Sequence, residues 1–381
     1  MPAAIDEIRK LGHLGHTIFA ADTIESAAGS HSKYVSELLV VPSPRYHTAE
    51  FVEAIVRILR DARIDLFLPA FEEAIYLAKH RHRLEEFSGL FFAPFGVLST
   101  LHDKWKMLQL ATSLHIQTPR STVARNAEEL SRAAQSFQAY FARPVYSRGG
   151  VELLTNEGPL AGALDIAKCE VTPAKPWIVQ EFVHGTDVCT FSVAHHGKLS
   201  GHSAYVHPRE IEHAGGIVFR SVDEPECLAI VQKIVEKTGY HGQISFDFLQ
   251  TDRGMVLIEC NPRPTAGVHM MAAGDFCAAL GDEAATQLRV VPPGIERKYS
   301  IALVRDMFLH LKDIPLDAKH LFSRAKEVFA DPDDLLPALY QLLSYTHVLK
   351  YRFEAHEHSK RALMAAYFHD ICYNGEDDVS L

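Results

Sequence analysis

The sequence predicts an α/β region, then an α+β region, then a helical tail, and three observations carry that prediction. Strand and helix patterns alternate through residues 1–100, the pacing of a parallel sheet with helices on both faces. From Trp177 to Cys260, β-rich segments follow one another across short turns, broken by one amphipathic helix. From Asp306 onward the periodicity is almost wholly helical, with Leu335, Leu339, Leu342 and Leu343 at helical spacing.

Taken in order, Ile5, Ile8 and Leu11 mark a first helix, and His16–Ala21 reads as a buried strand ending at Asp22. Leu38–Val41 is a short aliphatic strand stopped by Pro42 and Pro44. Phe51, Ile55, Ile58 and Leu59 line a helix face, Leu66–Leu68 is a strand, Glu72–Phe87 a charged helix, and Leu90–Ala93 another strand. A helix over His102–Leu114 leads to Pro119. Residues 121–168 read strand, helix, strand, glycine turn, strand, helix, the turn being Ser147-Arg148-Gly149-Gly150. Strands follow at Trp177–Val183, Val188–Ala194, Lys198–Val206 and Gly216–Val222, with His196-Gly197 as a hairpin turn. Glu224–Thr238 is the amphipathic helix, and Gly242–Leu249 and Met255–Cys260 are the last two strands.

Composition narrows the function. Hydrophobic residues make up 47% and charged residues 23%, the balance of an ordinary globular chain. The longest nearly apolar run, Gly89–Leu98, contains a proline and is about half the ~20 residues a bilayer span needs. A net charge of −10 argues against nucleic-acid binding through phosphate neutralisation. The six cysteines form no CxxC pair, which fits reduced thiols in a cytoplasmic protein. His80-Arg81-His82 and His356-Glu357-His358 read as solvated helix faces.

The sharpest chemistry lies at the end of the β-rich region, in Asp247, Glu259, Asn261 and Arg263. Residues two apart on a strand share a face, so Glu259, Asn261 and Arg263 start out pointing one way. A three-residue hairpin loop would pair Asp247 with Glu259; a two-residue loop would send Asp247 to the other face. If the pairing holds, two carboxylates and an amide oxygen converge as hard ligands of the kind Mg²⁺ accepts.

With Glu259-Cys260-Asn261-Pro262-Arg263, the chain resembles the ATP-grasp superfamily, in the branch similar to carbamoyl phosphate synthetase large subunits, biotin carboxylase and amino-acid ligases. The resemblance covers roughly residues 1–300 and implies three parts. They are a Rossmann-like N-terminal domain over 1–100, an ATP-grasp domain over 101–300 (small subdomain about 115–175, large about 176–300), and a helical region over 301–381. Met1-Pro2 leads straight into the first helix, so the family's opening strand is missing. Either the start lies upstream, the chain is truncated, or another segment takes its place; homodimerisation would compensate for exposed backbone.

The resemblance also implies roles. Asp247, Glu259 and Asn261 hold Mg²⁺, with Mn²⁺ as an alternative, and Lys104, after Asp103, reaches the phosphates of ATP. Arg143-Pro144 stands where the family usually has Lys-Pro, offering a guanidinium fork instead of a point charge. Ser147, Arg148, Gly149 and Gly150 occupy the place of the phosphate-covering loop. Glu181, Phe182 and Val183 resemble the adenine hinge, with Asp187 at the ribose and Ile178, Leu257 and Phe248 around the base. Arg263 holds the substrate carboxylate or the tetrahedral intermediate, and Arg220 joins it from the loop His207–Arg220. The activity implied is ATP-dependent ligation of a small carboxylate to an amine or thiol through an acyl phosphate, with an amino-acid substrate as the leading reading. The second reading is a nucleotide-binding relative without ligase activity, acting as a sensor or partner module. Partners are then small molecules, not nucleic acid or membrane.

Overall fold

The computed structural model describes residues 1–381 except 149, 151, 212–214, 282–286, 355–368 and 376–381. The chain opens on helix α1 (Pro2–His13), with Pro2 at the first helical position, where a missing N–H costs nothing. Strands β1 (Ile18–Asp22) and β2 (Val35–Val40) pair in parallel. Helix α2 (Thr48–Asp61) buries Phe51, Val52, Ile55 and Leu59, the stripe its spacing predicts. Strands β3 (Leu66–Phe67) and β4 (Gly89–Leu90) also pair in parallel, among the described residues only with each other, so the parallel region there is two small sheets.

The helix expected over 72–87 is two, α3 (Glu73–Ala78) and α4 (Arg81–Leu84). All of Ala74–Ala78 is buried, so this segment is a core plug without a polar face. His80 leaves helical geometry at φ −115°, and the Arg81 guanidinium turns to the Phe92 carbonyl at 2.5 Å. The helix expected over 102–114 is α6 (Lys104–Ser113), with a separate helix α5 (Phe95–His102) ending just before it. Asp103 is extended at ψ 110° and its carboxylate accepts from the Lys106 N–H at 2.9 Å, an N-cap. That cap sets Lys104 at the first position of α6.

A four-stranded antiparallel sheet follows, in the order β5 (Ser121–Ala124), β8 (Trp177–Glu181), β6 (Tyr140–Pro144), β7 (Leu154–Thr155). Helix α7 (Ala127–Gln135) covers it, and Ala124, Leu130, Ala142, Leu154, Trp177 and Val179 form its core. Ala142 and Pro144 alternate with Arg143, so Arg143 points to the sheet's other side. The helix expected near 168 is a single tight turn, Ile166–Lys168.

The large sheet is eight-stranded. Its path runs β13 (Gly254–Asn261), β12 (Gly242–Thr251), β9 (Thr186–His195), β10 (Lys198–Ile211), β11 (Gly215–Val222), β15 (Glu296–Lys298), β16 (Lys326–Glu327), with β14 (Arg289–Val290) beside β10. The β9–β10 turn places both His196 (φ 46°) and Gly197 (φ 90°) in the left-handed region, as a two-residue hairpin requires. Helix α8 (Pro225–Thr238) packs Val231, Ile234 and Val235 into a cluster with Ile244, Phe246 and Phe248 of β12. The other face, through Phe191 and Tyr205, meets Phe276 of α9 (Ala273–Leu280) and residues of α1.

The tail departs from the all-helical expectation. Helices α10 (Ser300–Leu309), α11 (Ile314–Leu321) and α12 (Leu336–Glu354) are present, but Lys326–Glu327 joins the large sheet as β16. Leu335, Leu339, Leu342 and Leu343 are exposed rather than buried. Arg9 of α1 ties the tail down, pairing with Asp334 at 2.8 Å and donating to the Phe329 carbonyl at 2.9 Å. Among the described residues all six cysteines are free thiols and no helix is long and apolar enough to cross a membrane. His356, Glu357 and His358 lie outside the described residues.

Candidate active site

The β12–β13 hairpin closes through a two-residue turn, Thr251 pairing with Gly254. On that register alone Asp247 would face away from Glu259. A β-bulge between Leu257 and Glu259 restores the match: Phe248 pairs with Leu257, and Asp247 then pairs with Glu259. The extra residue is Ile258, whose carbonyl receives Arg143 Nη2 at 3.4 Å. The two-residue loop is the one present, and the bulge reverses the face that loop would otherwise give Asp247.

Around Asp247 and Glu259 the remaining groups close in. Asn261 Nδ2 donates to Asp247 Oδ2 at 3.2 Å, and Arg263 Nη2 donates to Asn261 Oδ1 at 3.0 Å. Arg263 lies 4.2 Å over the Phe71 ring, a stacking a guanidinium favours. Glu259 takes two cations, Arg143 Nη1 at 2.5 Å and Lys104 Nζ at 3.3 Å. Lys104 Nζ also donates to the Ser147 carbonyl at 2.7 Å. Helix α6, the small sheet and the large sheet therefore meet at one carboxylate.

Electrostatics follow from this packing. Burial would raise the Glu259 carboxyl, but Lys104 and then Arg143 override it and hold it at about 2. Burial pulls Lys104 down to about 8 in spite of Glu259. Asp247 is pushed up, by burial first and by the Glu259 charge second. A divalent cation would relieve that repulsion.

A second ionic centre adjoins the first. Glu72, 2% exposed, receives the Arg148 guanidinium on both oxygens, Nε at 2.8 and 2.9 Å and Nη2 at 2.5 Å. His102 Nε2 lies 3.6 Å from it and Arg263 Nε 3.9 Å. Burial raises the Glu72 carboxyl, yet Arg148 and the other cations bring it to about 2. Burial lowers His102 to about 4, so it is neutral near pH 7. The reading from sequence missed Glu72. The available signal was its place just past Pro69, beyond the carboxyl end of a parallel strand, where open α/β sheets bind ligands.

Several expected residues sit differently. Arg220 pairs with Val206 of β10, three strands from Asp247 in the sheet. Following the registers, Asp247, Cys189, Tyr205 and Ser221 share one face, so Arg220 lies on the other and does not join Arg263. Phe248 lies on the α8 face and cannot wall a slot beside Asp247; Ile178 and Leu257 are buried in the same cluster. Leu249, opposite Asp187 on the Asp247 face and half-buried, is the apolar residue placed there instead. The Glu181 carboxylate is held by Arg120, N–H at 3.0 Å and Nε at 2.6 Å. The Phe182 N–H donates to the Ala139 carbonyl at 2.9 Å, and Val183 follows as a half-buried residue. Gly150 is left-handed at φ 66°, as a glycine turn permits, while Gly149 lies outside the described residues. Glu212, His213 and Ala214 of the expected acceptor loop also lie outside them.

Two observations show that this geometry fits Mg²⁺ and a polyphosphate. Two carboxylates and an amide oxygen are hard donors gathered on one hairpin. Among the described residues the buried Arg143 Nε has no partner, and the carboxylate that pairs with both Arg143 and Lys104 is Glu259, one a metal would engage. Residues 101–267 match the family model of the ATP-grasp domain. The chain carries an ATP-grasp domain over that stretch.

Solved structures of other proteins share its fold at low identity. N5-carboxyaminoimidazole synthetase from Staphylococcus aureus, complexed with ADP, superposes with a TM-score of 0.61 at 10% identity, over 84% of each chain. The biotin carboxylase domain of Hydrogenobacter thermophilus 2-oxoglutarate carboxylase, complexed with MgADP and bicarbonate, gives 0.57 at 15% identity, over 76% of this chain and 69% of that one. L-amino acid ligase from Bacillus licheniformis gives 0.57 at 12% identity, over 77% and 75%. No curated protein matches in sequence.

Proposed function

We propose that this ATP-grasp protein is an ATP-dependent carboxylate–amine ligase acting through an acyl phosphate. The observation that carries the reading is the convergence of Asp247, Glu259 and Asn261 with Lys104 and Arg143, two cations parked on the metal-facing carboxylate. Asp247, Glu259 and Asn261 would hold Mg²⁺, which would supply neutralisation of phosphate charge there. Lys104 and Arg143 then turn to the phosphates of ATP, a substrate with about four negative charges near neutral pH. The adenosine end runs along Glu181–Val183, with Asp187 and Leu249 beside it.

Arg263 orients the carboxylate substrate, its guanidinium kept in place by Asn261, Glu72 and the Phe71 ring. A carboxylate oxygen attacks the γ-phosphorus, the bond to the β-phosphate oxygen breaks, and ADP leaves. A neutral amine then attacks the acyl carbon, phosphate leaves with the bonding pair, and the amine's proton passes to solvent. Catalysis in this scheme is positioning and charge neutralisation, which explains why no enzyme nucleophile is required. An amino acid is the substrate class we favour. The parts of the chain are proposed to be residues 1–100, 101–300 and 301–381.

An ADP-release screen of small carboxylic acids crossed with amines, followed by product mass, tests this. ADP that appears only when both substrates are present, with a condensed product, is the expected result. Nucleotide binding with no substrate-dependent ADP in any pairing would support the non-ligase reading instead.

A further inference from the structure

Residues 369–375 come back from the tail to the second ionic centre. Tyr373 is 1% exposed and its ring stands among those of Tyr76, Phe95, His102 and Tyr146. Its N–H donates to Glu72 Oε2 at 2.8 Å, and its carbonyl accepts from Arg148 Nη2. Asn374 Oδ1 accepts from Arg148 Nη1 at 2.8 Å. Gly375, at φ 81°, lies so close to Tyr146 that an added Cβ would stand 2.4 Å from its ring. Upstream, the Asp370 carbonyl accepts from Ser43 Oγ at 3.0 Å and from the Arg45 N–H at 3.2 Å. The segment is thus anchored at one end and inserted at the other.

Its inserted end grips one stretch of chain, Tyr146–Arg148, at the entry to the expected phosphate loop. Tyr146 Oη donates to Asp103 Oδ2 at 3.1 Å, and the Ser147 carbonyl receives Lys104. Arg148 spends its donors on Glu72, Asn374 and Tyr373. Moving Arg148 to a phosphate would strip a buried carboxylate of its nearest cation, a costly exchange. Arg148 is therefore a tether, and the backbone beside it is what can face the nucleotide.

We propose that residues 372–375 form a clasp that positions the phosphate loop, with Asn374 and the Tyr373 backbone acting through Arg148. They are positioning groups and touch no reacting atom. The inference rests on the reading that nucleotide binds at Lys104 and Arg143, and it makes the tail part of the nucleotide site.

The test uses the full chain and three proteins: the parent, Asn374→Ala and Asn374→Asp, the last keeping an oxygen acceptor for Arg148. Two quantities are measured, the Kd for MgATP and the rate of trypsin cleavage after Arg148. Asn374→Ala should weaken MgATP about five-fold and speed cleavage after Arg148 by a similar factor, while Asn374→Asp stays within about two-fold of the parent in both. Unchanged affinity and cleavage in Asn374→Ala, tighter MgATP binding, or equal losses in the alanine and aspartate variants would each overturn the clasp. A parent that binds no MgATP would sink the functional reading, and the cleavage rates would still judge the clasp.

Discussion

Glu259→Gln isolates the centre of the site. The change keeps the side chain's size and removes the charge that holds Arg143 at 2.5 Å and Lys104 at 3.3 Å. The Glu259 carboxyl lies at about 2 against an ordinary 4.5, and that difference corresponds to about 3 kcal/mol at neutral pH. The sign follows from linkage. A depressed carboxyl contributes stability fully present above 4.5 and lost as pH falls toward about 2. Lys104 tempers the loss. It already sits at about 8 through burial, with Glu259 opposing the shift; without that charge it falls further and sheds its proton near neutrality. Urea unfolding should therefore show the variant about 2–3 kcal/mol less stable at pH 7, the gap narrowing as pH drops below 4.5. Turnover should fall at least about 100-fold, because the proposed metal site loses one of its two carboxylate charges. ADP release in a substrate pairing active with the parent measures that. A variant that folds and turns over like the parent would remove Glu259 from the site, and a stability gap that widens in acid would refute the electrostatic argument.

Three further outcomes follow from the same geometry. Lys104→Ala and Arg143→Ala should each weaken ATP by roughly ten-fold or more, the loss of a charge-assisted contact worth about 1.5–3 kcal/mol, and Arg143→Lys should retain part of the affinity; nucleotide titration reads all three. Arg220→Ala should leave ADP release within about two-fold of the parent, since that side chain lies on the far face of the large sheet. Trp177→Ala should cost about 3–5 kcal/mol in urea unfolding, because the ring is fully buried at 0% exposure in the core of the small sheet.

How much was legible in the sequence depends on the range of the forces involved. Helices α2 and α8 fall where their apolar spacing predicts, and the β9–β10 turn falls on His196-Gly197, because these are set by neighbours in the chain. Asp103 shows the limit of that locality. Periodicity alone does not show that its carboxylate caps α6, yet that cap is what turns Lys104 toward Glu259. Lys326–Glu327 reads as tail and pairs as strand because Arg297 and Lys298 supply its partners from elsewhere in the chain. Arg220 misleads for the opposite reason: its nearness in sequence to a glycine pair says nothing of the sheet face it takes.

The pairing of Asp247 with Glu259 joins both kinds of information. The two-residue turn is local, and by itself it sets the wrong face. The correction comes from the bulge at Ile258, and a bulge leaves no strong mark in composition. What holds it lies on other elements. Arg143 of the small sheet reaches the Ile258 carbonyl at 3.4 Å, and the Gln117 carbonyl, just beyond α6, accepts from the Leu257 N–H at 2.9 Å. The geometry of β13 around Glu259 is thus shaped by the same elements that bring Arg143 and Lys104 to it. Disturbing either element should move Glu259 and its two cations together. The proposed ligase, working by positioning, would gain from that arrangement, because its charges keep their mutual distances as the site fills.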